Sequence, residues 1–398
     1  MKIKFFEGKE EHGIMYDWNH IRREFRKLKT PEGIWDPTEI PFESCAYTVA
    51  LSTRSTGKTT QAILLGAIMN IEYGTQTALI RCREEQIMPM KVSQMLDTIR
   101  TFDNGRYIPQ ISKGRWNSIQ YVRNDRAFYF CNRDENGEVF ERQSDPFLCL
   151  FHLAECDNLK SGSGNPRRDL IIFDEFVGEL YVPAYYSWLM NIISTFFRER
   201  LGTHVLLLGN TIRPNCPWFR ELEIAKDLKQ MNVGDSTIVT ARQGAQVYIH
   251  LFDKPNRAKS RVMSWLFGFD NPQLNAIKGG ADIWVYKPVP HIITDVTDTM
   301  ISQALKIETG LELLGVDLVL TVDRGLVANI HPATKIRPGD IVLTNGDIWD
   351  KQHRKGRGYG TICETLQRLE ILGKVYYSDN ETGTEYASYM VEADGKFR

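Results

Sequence analysis

The chain has 398 residues, of which 42% are hydrophobic and 25% are charged, and its formal net charge is −1. This composition is ordinary for a globular protein, the length suggests two or three domains, and the near-neutral charge excludes a uniformly basic nucleic-acid-binding chain. The seven cysteines form no Cys-x-x-Cys pair, which argues against a structural zinc site and favours reduced thiols in a cytoplasmic setting. No apolar run is long enough to cross a bilayer and the first residues lack a signal-peptide core, so no membrane partner is expected.

The first element predicted along the chain is a basic amphipathic helix. Trp18, Ile21, Phe25 and Leu28 recur at helical spacing, with arginines and lysines between them. Prolines and a glycine between residues 31 and 41 then predict an irregular connection. The pattern leaves open whether this segment packs on the core of its own chain or on a neighbouring subunit.

A phosphate-binding loop is predicted directly after a short apolar strand, Tyr47–Leu51. The loop is followed by a helical pattern, and this order brings backbone N–H groups and a helix N-terminus onto anionic oxygens. Lys58 would reach the β- and γ-phosphates of a nucleotide, and the Thr59 hydroxyl would ligate Mg²⁺. The candidate nucleotide-binding residues are Ser52, Thr53, Arg54, Ser55, Thr56, Gly57, Lys58, Thr59 and Thr60.

This loop departs from the common Gly-x4-Gly-Lys-Thr pattern. Ser52 stands where the first glycine is expected, and Arg54 lies inside the loop. A Ser/Thr-rich turn with a chance Gly-Lys-Thr is the alternative interpretation, because short motifs also occur by coincidence.

A second stretch, Asp169–Phe176, favours the nucleotide interpretation. Its four central apolar residues predict a strand buried on both faces of a parallel sheet. Asp174 and Glu175 then follow at the carboxyl end of the strand, where open α/β sheets bind ligands. Asp174 would hold Mg²⁺, and Glu175 would polarise the attacking water as the general base. Together with the loop, these carboxylates predict ATP hydrolysis; a charged loop after a core strand is the alternative.

A polar residue also ends the strand predicted at His204–Leu208. In ATPases with an extra strand between the phosphate-loop strand and the Asp-Glu strand, such a residue senses the γ-phosphate. Asn210 would do so by donating its amide to the phosphate or to the lytic water. A turn asparagine, chosen only for its backbone, is equally consistent with the pattern.

The remaining elements complete one α/β domain and predict a second, α+β domain. Before the Asp-Glu strand, a strand at 76–81 ends in Arg-x-Arg, and strands at 116–122, 127–131 and 147–153 suggest a small antiparallel insertion. After it we predict helices at 181–197 and 218–230, a strand at 246–252 and a basic helical connector at 256–281. The second domain has predicted strands at 283–286, 318–323, 327–330, 341–343 and 374–377, and helices at 361–372 and 384–392.

The order of the motifs resembles that of a known family. Ser-x-Arg-Ser-Thr-Gly-Lys-Thr, Arg-x-Arg, Ile-Ile-Phe-Asp-Glu-Phe, Phe-Phe-Arg-Glu-Arg and Leu-Gly-Asn follow one another as in the genome-packaging ATPases of small podophages, relatives of terminase large subunits. The resemblance is strong over about 46–220 and weaker beyond. It implies an ASCE-type P-loop ATPase domain with a mostly parallel sheet, a linker, and a C-terminal α+β ribonuclease-H-like domain that has lost its nuclease site. The implied boundaries are 1–45 for an N-terminal extension, 46–254 for the ATPase domain, 255–281 for the linker and 282–398 for the C-terminal domain.

The resemblance also implies a function and its partners. These are ATP-driven translocation of double-stranded DNA into a preformed capsid, with Mg²⁺, by a homomeric ring that is commonly a pentamer. The capsid portal and a structural packaging RNA are implied partners, and the implied location is the host-cell cytoplasm and, transiently, the procapsid vertex. Arg198 matches the family's arginine finger, which acts on the ATP of the neighbouring subunit. Arg200 and Lys160 are alternative fingers, and Arg54 would face the phosphates or the interface.

Two other functions remain open at this stage. An active two-metal nuclease in residues 282–398 needs clustered carboxylates, and Asp323, Asp347 and Asp379 near predicted strand ends could form such a set. A helicase-like cellular ATPase is the other alternative, although no helicase motif series is present. Double-stranded DNA would have to be contacted by local basic segments, at 20–29, 254–261 and 351–357, each of which is also consistent with a solvated face.

Overall fold

Two β-sheets organise the protein in the computed structural model. The structure describes residues 16–53, 56–88, 97, 99–100, 105–155, 167–177, 184–198, 200–210, 216–252, 289–292, 301–309, 312–344, 352–355 and 362–394. Within these ranges no helix has the length and apolar character needed to cross a bilayer. The predicted linker at 255–281 and the predicted strand at 283–286 lie outside the described residues.

The first sheet has ten strands and a parallel centre. Its strands are β1 (Tyr47–Ser52), β2 (Gln76–Arg81), β3 (Ser118–Val122), β4 (Ala127–Arg133), β5 (Val139–Arg142), β6 (Leu148–His152), β7 (Arg168–Asp174), β8 (His204–Asn210), β9 (Ser236–Thr240) and β10 (Gln246–Phe252). Their order is β3-β4-β6-β2-β7-β8-β1-β10-β9, with β5 paired to β4. Six neighbouring strands in this order are parallel to one another: β6, β2, β7, β8, β1 and β10. The α/β prediction is confirmed, and β8 lies between β1 and β7, as a γ-phosphate-sensing strand requires.

Helices cover both faces of this sheet. They are α1 (Trp18–Lys27), α2 (Lys58–Tyr73), α3 (Tyr107–Ile111), α4 (Ala184–Phe197), α5 (Pro217–Glu221) and α6 (Ala225–Gln230). One core joins α1, α2 and α3 to one face, and a second core joins α4, α5 and α6 to the other. The apolar face of α1, including Trp18 and Phe25, is buried in the first core. The amphipathic helix therefore packs on its own chain.

Three details differ from the sequence predictions. Strand β6 is parallel to β2 and belongs to the main sheet, so only β3, β4 and β5 form an antiparallel extension at its edge. The helix predicted at 218–230 is divided into α5 and α6, because Glu223 adopts φ 57°, which ends a helix. Strand β9, which was not predicted, pairs antiparallel to β10 at the other edge of the sheet.

The second sheet has six strands, β11 (Ile301–Glu308), β12 (Leu313–Thr321), β13 (Gly325–Ala333), β14 (Ile341–Thr344), β15 (His353–Lys355) and β16 (Val375–Tyr377). Strands β11, β12 and β13 form an antiparallel meander. β14 and then β15 extend it in parallel beside β11, while β16 is parallel to β13. Helices α7 (Ile362–Ile371) and α8 (Asn380–Asp394) contribute to the core of this sheet. The prediction missed β11 and placed β12 too late, since β12 begins at Leu313 and ends at Thr321.

Candidate active site

The predicted phosphate loop lies where the carboxyl ends of β1, β7 and β8 meet. In the sheet, Ser52 at the end of β1 is the register partner of Asn210 at the end of β8. Asp174 ends β7 on the other side of β8, opposite Leu208. Because parallel strands end at one edge of a sheet, residues far apart in the sequence converge here.

The described part of the loop is held by hydrogen bonds of its own small side chains. Ser52 Oγ donates to the carbonyl of Thr53 over 2.8 Å and lies 2.5 Å from Thr56 Oγ1. The carbonyl of Thr56 accepts from the backbone N–H of Trp35 over 2.9 Å. Gly57 has φ 79°, and a Cβ there would lie 3.3 Å from Cβ of Ile34. A glycine is therefore required at the start of α2. Arg54 and Ser55 lie outside the described residues.

Lys58 is buried and points into the loop. Its Nζ donates to Ser52 Oγ and lies 3.4 Å from Thr56 Oγ1 and 3.5 Å from Asn210 Oδ1. Ser52, which replaces the usual first glycine, thus supplies an acceptor for the lysine. The structure also brings Asn210 to the lysine, as a γ-phosphate sensor requires.

Thr59 and Asp174 form the pair predicted to hold Mg²⁺. Thr59 Oγ1 donates to Asp174 Oδ1 over 2.8 Å, and Asp174 is buried. Thr60, in the same first turn of α2, is half-buried. Over the part of the chain that the structure covers, no group of three or more His, Cys, Asp or Glu side chains could hold a metal by itself. A hydroxyl and one carboxylate fit Mg²⁺, because this ion keeps several waters and takes its other ligands from substrate phosphates.

Arg81 is a site residue for which the sequence predicted no role. Its Nη2 donates to Asp174 Oδ2 over 2.6 Å, and its Nη1 lies 3.2 Å from Glu175 Oε2. Gln86 Nε2 lies 3.5 Å from the same glutamate oxygen. The guanidinium thus bridges both carboxylates. The sequence contained one signal for this role, the Arg-x-Arg at the carboxyl end of β2. Because β2 pairs with β7, an arginine at its end lies beside Asp174 and Glu175.

Glu175 sits in a strained and tightly packed turn. It adopts φ 54°, which is uncommon for a residue other than glycine and occurs preferentially at functional sites. A Cβ built on Gly209 would lie 2.9 Å from atoms of Phe176 and of Val177, which directly follow Glu175. The absence of a side chain at position 209 therefore lets the turn approach β8. The Glu175 side chain itself is 49% exposed.

The structure separates the two arginines that were candidate fingers. Arg198 follows α4 with φ 44°, and its side chain is exposed. Arg200 donates from Nε and Nη2 to Asp169 Oδ1, over 3.0 and 2.8 Å, and Asp169 is fully buried. Arg200 thus forms an ion pair within its own subunit, which argues against a role as a finger. Lys160 lies outside the described residues.

The two described carboxylates of the alternative nuclease, Asp323 and Asp379, lie apart. Asp323 lies in the exposed turn between β12 and β13, beside Arg324. Asp379 follows β16, and its Oδ1 accepts from the backbone N–H of Thr382 in α8 over 2.7 Å. Tyr377 in β16 pairs with Ile330, so Asp379 lies near the end of β13 and Asp323 lies before its start, roughly 25 Å apart along the strand at about 3.3 Å per residue. Asp347 lies outside the described residues.

Comparison with known proteins finds similarity to phage DNA packaging proteins and to the fold of packaging motors. No protein-family model matches the chain. The DNA packaging proteins of Bacillus phages PZA and phi29 are each 32% identical to it over 79 residues, 19% of this chain. The chain therefore spans about a quarter (24%) of the length of the curated relatives it matches.

Two solved structures of packaging motors are similar over nearly the whole chain. The Phi-28 DNA packaging motor covers 91% of this chain and 98% of its own, with a TM-score of 0.52 at 15% identity. This chain has the fold of a phage packaging-motor subunit. The motor assembly of bacteriophage Phi-29 agrees, covering 91% of this chain and 100% of its own with a TM-score of 0.52 at 17% identity. The resemblance predicted from the motif order is confirmed.

Proposed function

We propose that this chain is the ATP-hydrolysing subunit of a motor that translocates double-stranded DNA into a preformed viral capsid. The observation that carries the proposal is the convergence of Lys58, Thr59, Asp174 and Glu175 at one edge of a parallel sheet. A fold alone does not specify a function. The similarity to phage DNA packaging proteins is what indicates DNA translocation as the process that ATP hydrolysis drives.

The groups of the site have separate tasks in ATP hydrolysis. Lys58 would exchange Ser52 and Asn210 for the phosphate oxygens. Thr59 and Asp174 would hold Mg²⁺, which would supply positive charge beside the transferred phosphoryl group. A water attacks the γ-phosphorus, its proton passes to Glu175, and the bond to the β-phosphate oxygen breaks.

Arg81 must release Glu175 before this step. The Arg81 guanidinium lies 3.2 Å from Glu175 Oε2 and forms an ion pair with it. While this ion pair is present, the carboxylate oxygen is not available to accept the proton of the attacking water. In this mechanism the pairing describes the resting state of the site.

Arg198 acts on a neighbouring subunit in this proposal, and its position in its own subunit supports that role. The arginine follows α4, whose 14 residues run about 21 Å away from the carboxyl edge of the sheet. Its partner in the same turn, Arg200, binds Asp169, which lies five residues before Asp174 along β7, or roughly 17 Å. Arg198 is therefore remote from its own ATP site, and a ring of subunits, commonly a pentamer in the related family, would bring it to the next one.

The C-terminal domain is proposed to be a ribonuclease-H-like domain without nuclease activity. Its antiparallel meander extended by parallel strands beside β11 supports the fold, and the separation of Asp323 from Asp379 supports the loss of activity. The capsid portal, double-stranded DNA and a structural packaging RNA are the partners implied by the related motors. In the first basic segment Arg22 pairs with Glu43 and Lys27 with Glu24, while Arg23, Arg26 and Lys29 are exposed and could contact DNA.

The proposal is tested by ATP turnover of the purified chain with duplex DNA, with single-stranded DNA and without DNA. We expect stimulation by the duplex alone, and we expect Lys58→Ala to abolish turnover while its circular dichroism spectrum is unchanged. Stimulation by single strands would favour the helicase-like alternative. Turnover by a folded Lys58→Ala variant would contradict the assignment of the site.

A further inference from the structure

A buried charge cluster lies at the edge of the sheet remote from the ATP site, and the mechanism above does not use it. Asp169, with no exposed surface, accepts from Tyr16 Oη, from Arg167 Nε and from both Nε and Nη2 of Arg200. A carboxylate this deeply buried is stable only with such partners. The cluster joins three parts of the chain: the start of β7, the segment before α1, and the turn after α4.

The Arg200 arm of the cluster fixes the turn that carries Arg198. Besides Asp169, Arg200 Nη2 donates over 2.6 Å to the carbonyl of Phe196 at the end of α4. The backbone N–H of Arg200 donates to Phe197 over 2.9 Å, and its carbonyl accepts from Thr203 Oγ1 over 3.2 Å. One side chain thus ties the end of the helix and the turn to the buried strand. We call Arg198, Arg200, Leu201 and Gly202 the finger turn.

The finger turn exposes both a cation and an apolar side chain. The Arg198 side chain is exposed, and Leu201 is 72% exposed although its neighbour Arg200 is anchored inside. Arg198 holds φ 44°, a conformation that costs about 1 kcal/mol or more outside glycine and persists only where surrounding contacts enforce it. Arg198 and Leu201 are therefore both accessible to another protein from one anchored turn.

We propose that the finger turn is a prearranged contact by which one copy of this chain completes the ATP site of the next, with Arg200 as its positioning residue and Leu201 as its apolar contact. This inference rests on the proposed role of Arg198. The occupant of the surface is a second copy of the chain, because Arg200 anchors the finger turn at Asp169, roughly 17 Å along β7 from Asp174. The turn therefore lies at the end of the sheet remote from its own ATP site, and Arg198 would meet a phosphoryl group in a neighbour. Fixing the turn in the free subunit lowers the conformational entropy lost when the finger enters that site.

The test compares Arg200→Met with a matched control, Arg167→Met. Each variant removes one arginine from Asp169 and leaves the other in place, so both weaken the same buried cluster. Only Arg200 is bonded to the helix end and to the turn. We expect Arg200→Met to lower kcat by about tenfold to 100-fold, the cost of a misplaced reacting group, with ATP affinity kept. We expect Arg167→Met to keep kcat within about twofold, even where the two variants lose similar stability.

Mixing experiments separate a loose finger from a damaged ATP site. Subunits with Arg200→Met keep an intact site of their own, and subunits with Glu175→Gln keep an intact finger. We expect turnover per Arg200→Met subunit to rise when the two are mixed, and we expect Leu201→Asp to be rescued in the same way. Arg198→Ala combined with Arg200→Met should be no slower than Arg198→Ala alone, because both act through one finger.

Each failure points to a different part of the account. Equal losses of kcat in Arg200→Met and Arg167→Met would mean that the cluster only stabilises the fold, and would overturn the positioning role. A normal rate in Arg200→Met together with a strongly slowed Arg198→Ala would overturn the inference and leave the finger intact. A normal rate in Arg198→Ala would overturn the proposed finger itself.

Discussion

Replacing Arg81 by methionine tests whether this arginine holds the two site carboxylates in the nucleotide-free protein. The Arg81 side chain is 16% exposed and Asp174 4% exposed, so their 2.6 Å pair is a buried one. Removing one partner of a buried pair costs about 3–5 kcal/mol, whereas the pair with the half-exposed Glu175 contributes less than about 1 kcal/mol. We therefore expect Arg81→Met to lower the free energy of unfolding by about 3 kcal/mol or more when Mg²⁺ is absent.

Mg²⁺ with a non-hydrolysable ATP analogue should recover much of this loss. In the proposed mechanism Thr59 and Asp174 would hold the dication, which would take over the neutralisation that the guanidinium provides in its absence. The measurement is denaturant unfolding of both proteins, with and without the nucleotide complex. The control is Arg83→Met, since Arg83 is an exposed arginine two residues further along and should change stability by less than about 0.5 kcal/mol. An unchanged stability of Arg81→Met without Mg²⁺, or a loss that the complex leaves untouched, would refute this reasoning.

Three further predictions concern the base, its packing and the core beneath the site. Glu175→Gln should bind ATP normally and hydrolyse it at least about 100-fold more slowly, which equilibrium binding and turnover measure; lost binding with normal kcat would exclude Glu175 as the base. Gly209→Ala should lower the free energy of unfolding by about 1–3 kcal/mol and lower kcat, because the new methyl group displaces Phe176 and with it Glu175. Adding Phe176→Leu in the same chain should recover part of kcat. A normal rate in Gly209→Ala would contradict the packing argument. Burial lowers the pKa of His204 to about 3, so the folded state keeps this residue neutral while the unfolded state protonates it below about pH 6.5. The free energy of unfolding should therefore fall by about 2 kcal/mol from this residue alone as the pH falls from about 7.5 to about 5. His204→Gln should flatten that part of the pH profile measured by urea unfolding. A profile identical to that of the wild type would contradict this assignment to His204.

The sequence was sufficient for the features that depend on local pattern. The apolar run before Asp174 and the strand-loop-helix order around Lys58 are each contained in a short segment, and both appear in the structure as predicted. Asn210 was ambiguous because a turn asparagine and a phosphate sensor have the same local sequence. The register of β8 beside β1, a contact between distant segments, brings Asn210 opposite Ser52, and the local sequence could not predict this.

What the sequence could not supply were the long-range charge pairs. Arg81 and Asp174 are 93 residues apart, and Arg200 and Asp169 are 31 apart, so no local pattern links either pair. Arg198 and Arg200 look equivalent in Phe-Phe-Arg-Glu-Arg, yet one is exposed and the other is bonded to a buried carboxylate. Strand β11 was missed for a different reason. Its alternation of buried Leu305 and Ile307 with polar residues is short and is interrupted by a bulge near Gln303.

The central claim is that ATP hydrolysis at Lys58, Asp174 and Glu175 moves double-stranded DNA into a capsid. The most direct measurement supplies empty capsids with their portal and packaging RNA, duplex DNA and ATP to the purified chain, and then quantifies the DNA that survives added nuclease. We expect protected DNA with the wild-type chain, and none with Glu175→Gln although that variant binds ATP. Steady ATP turnover with no protected DNA, or equal protection by Glu175→Gln, would contradict the account.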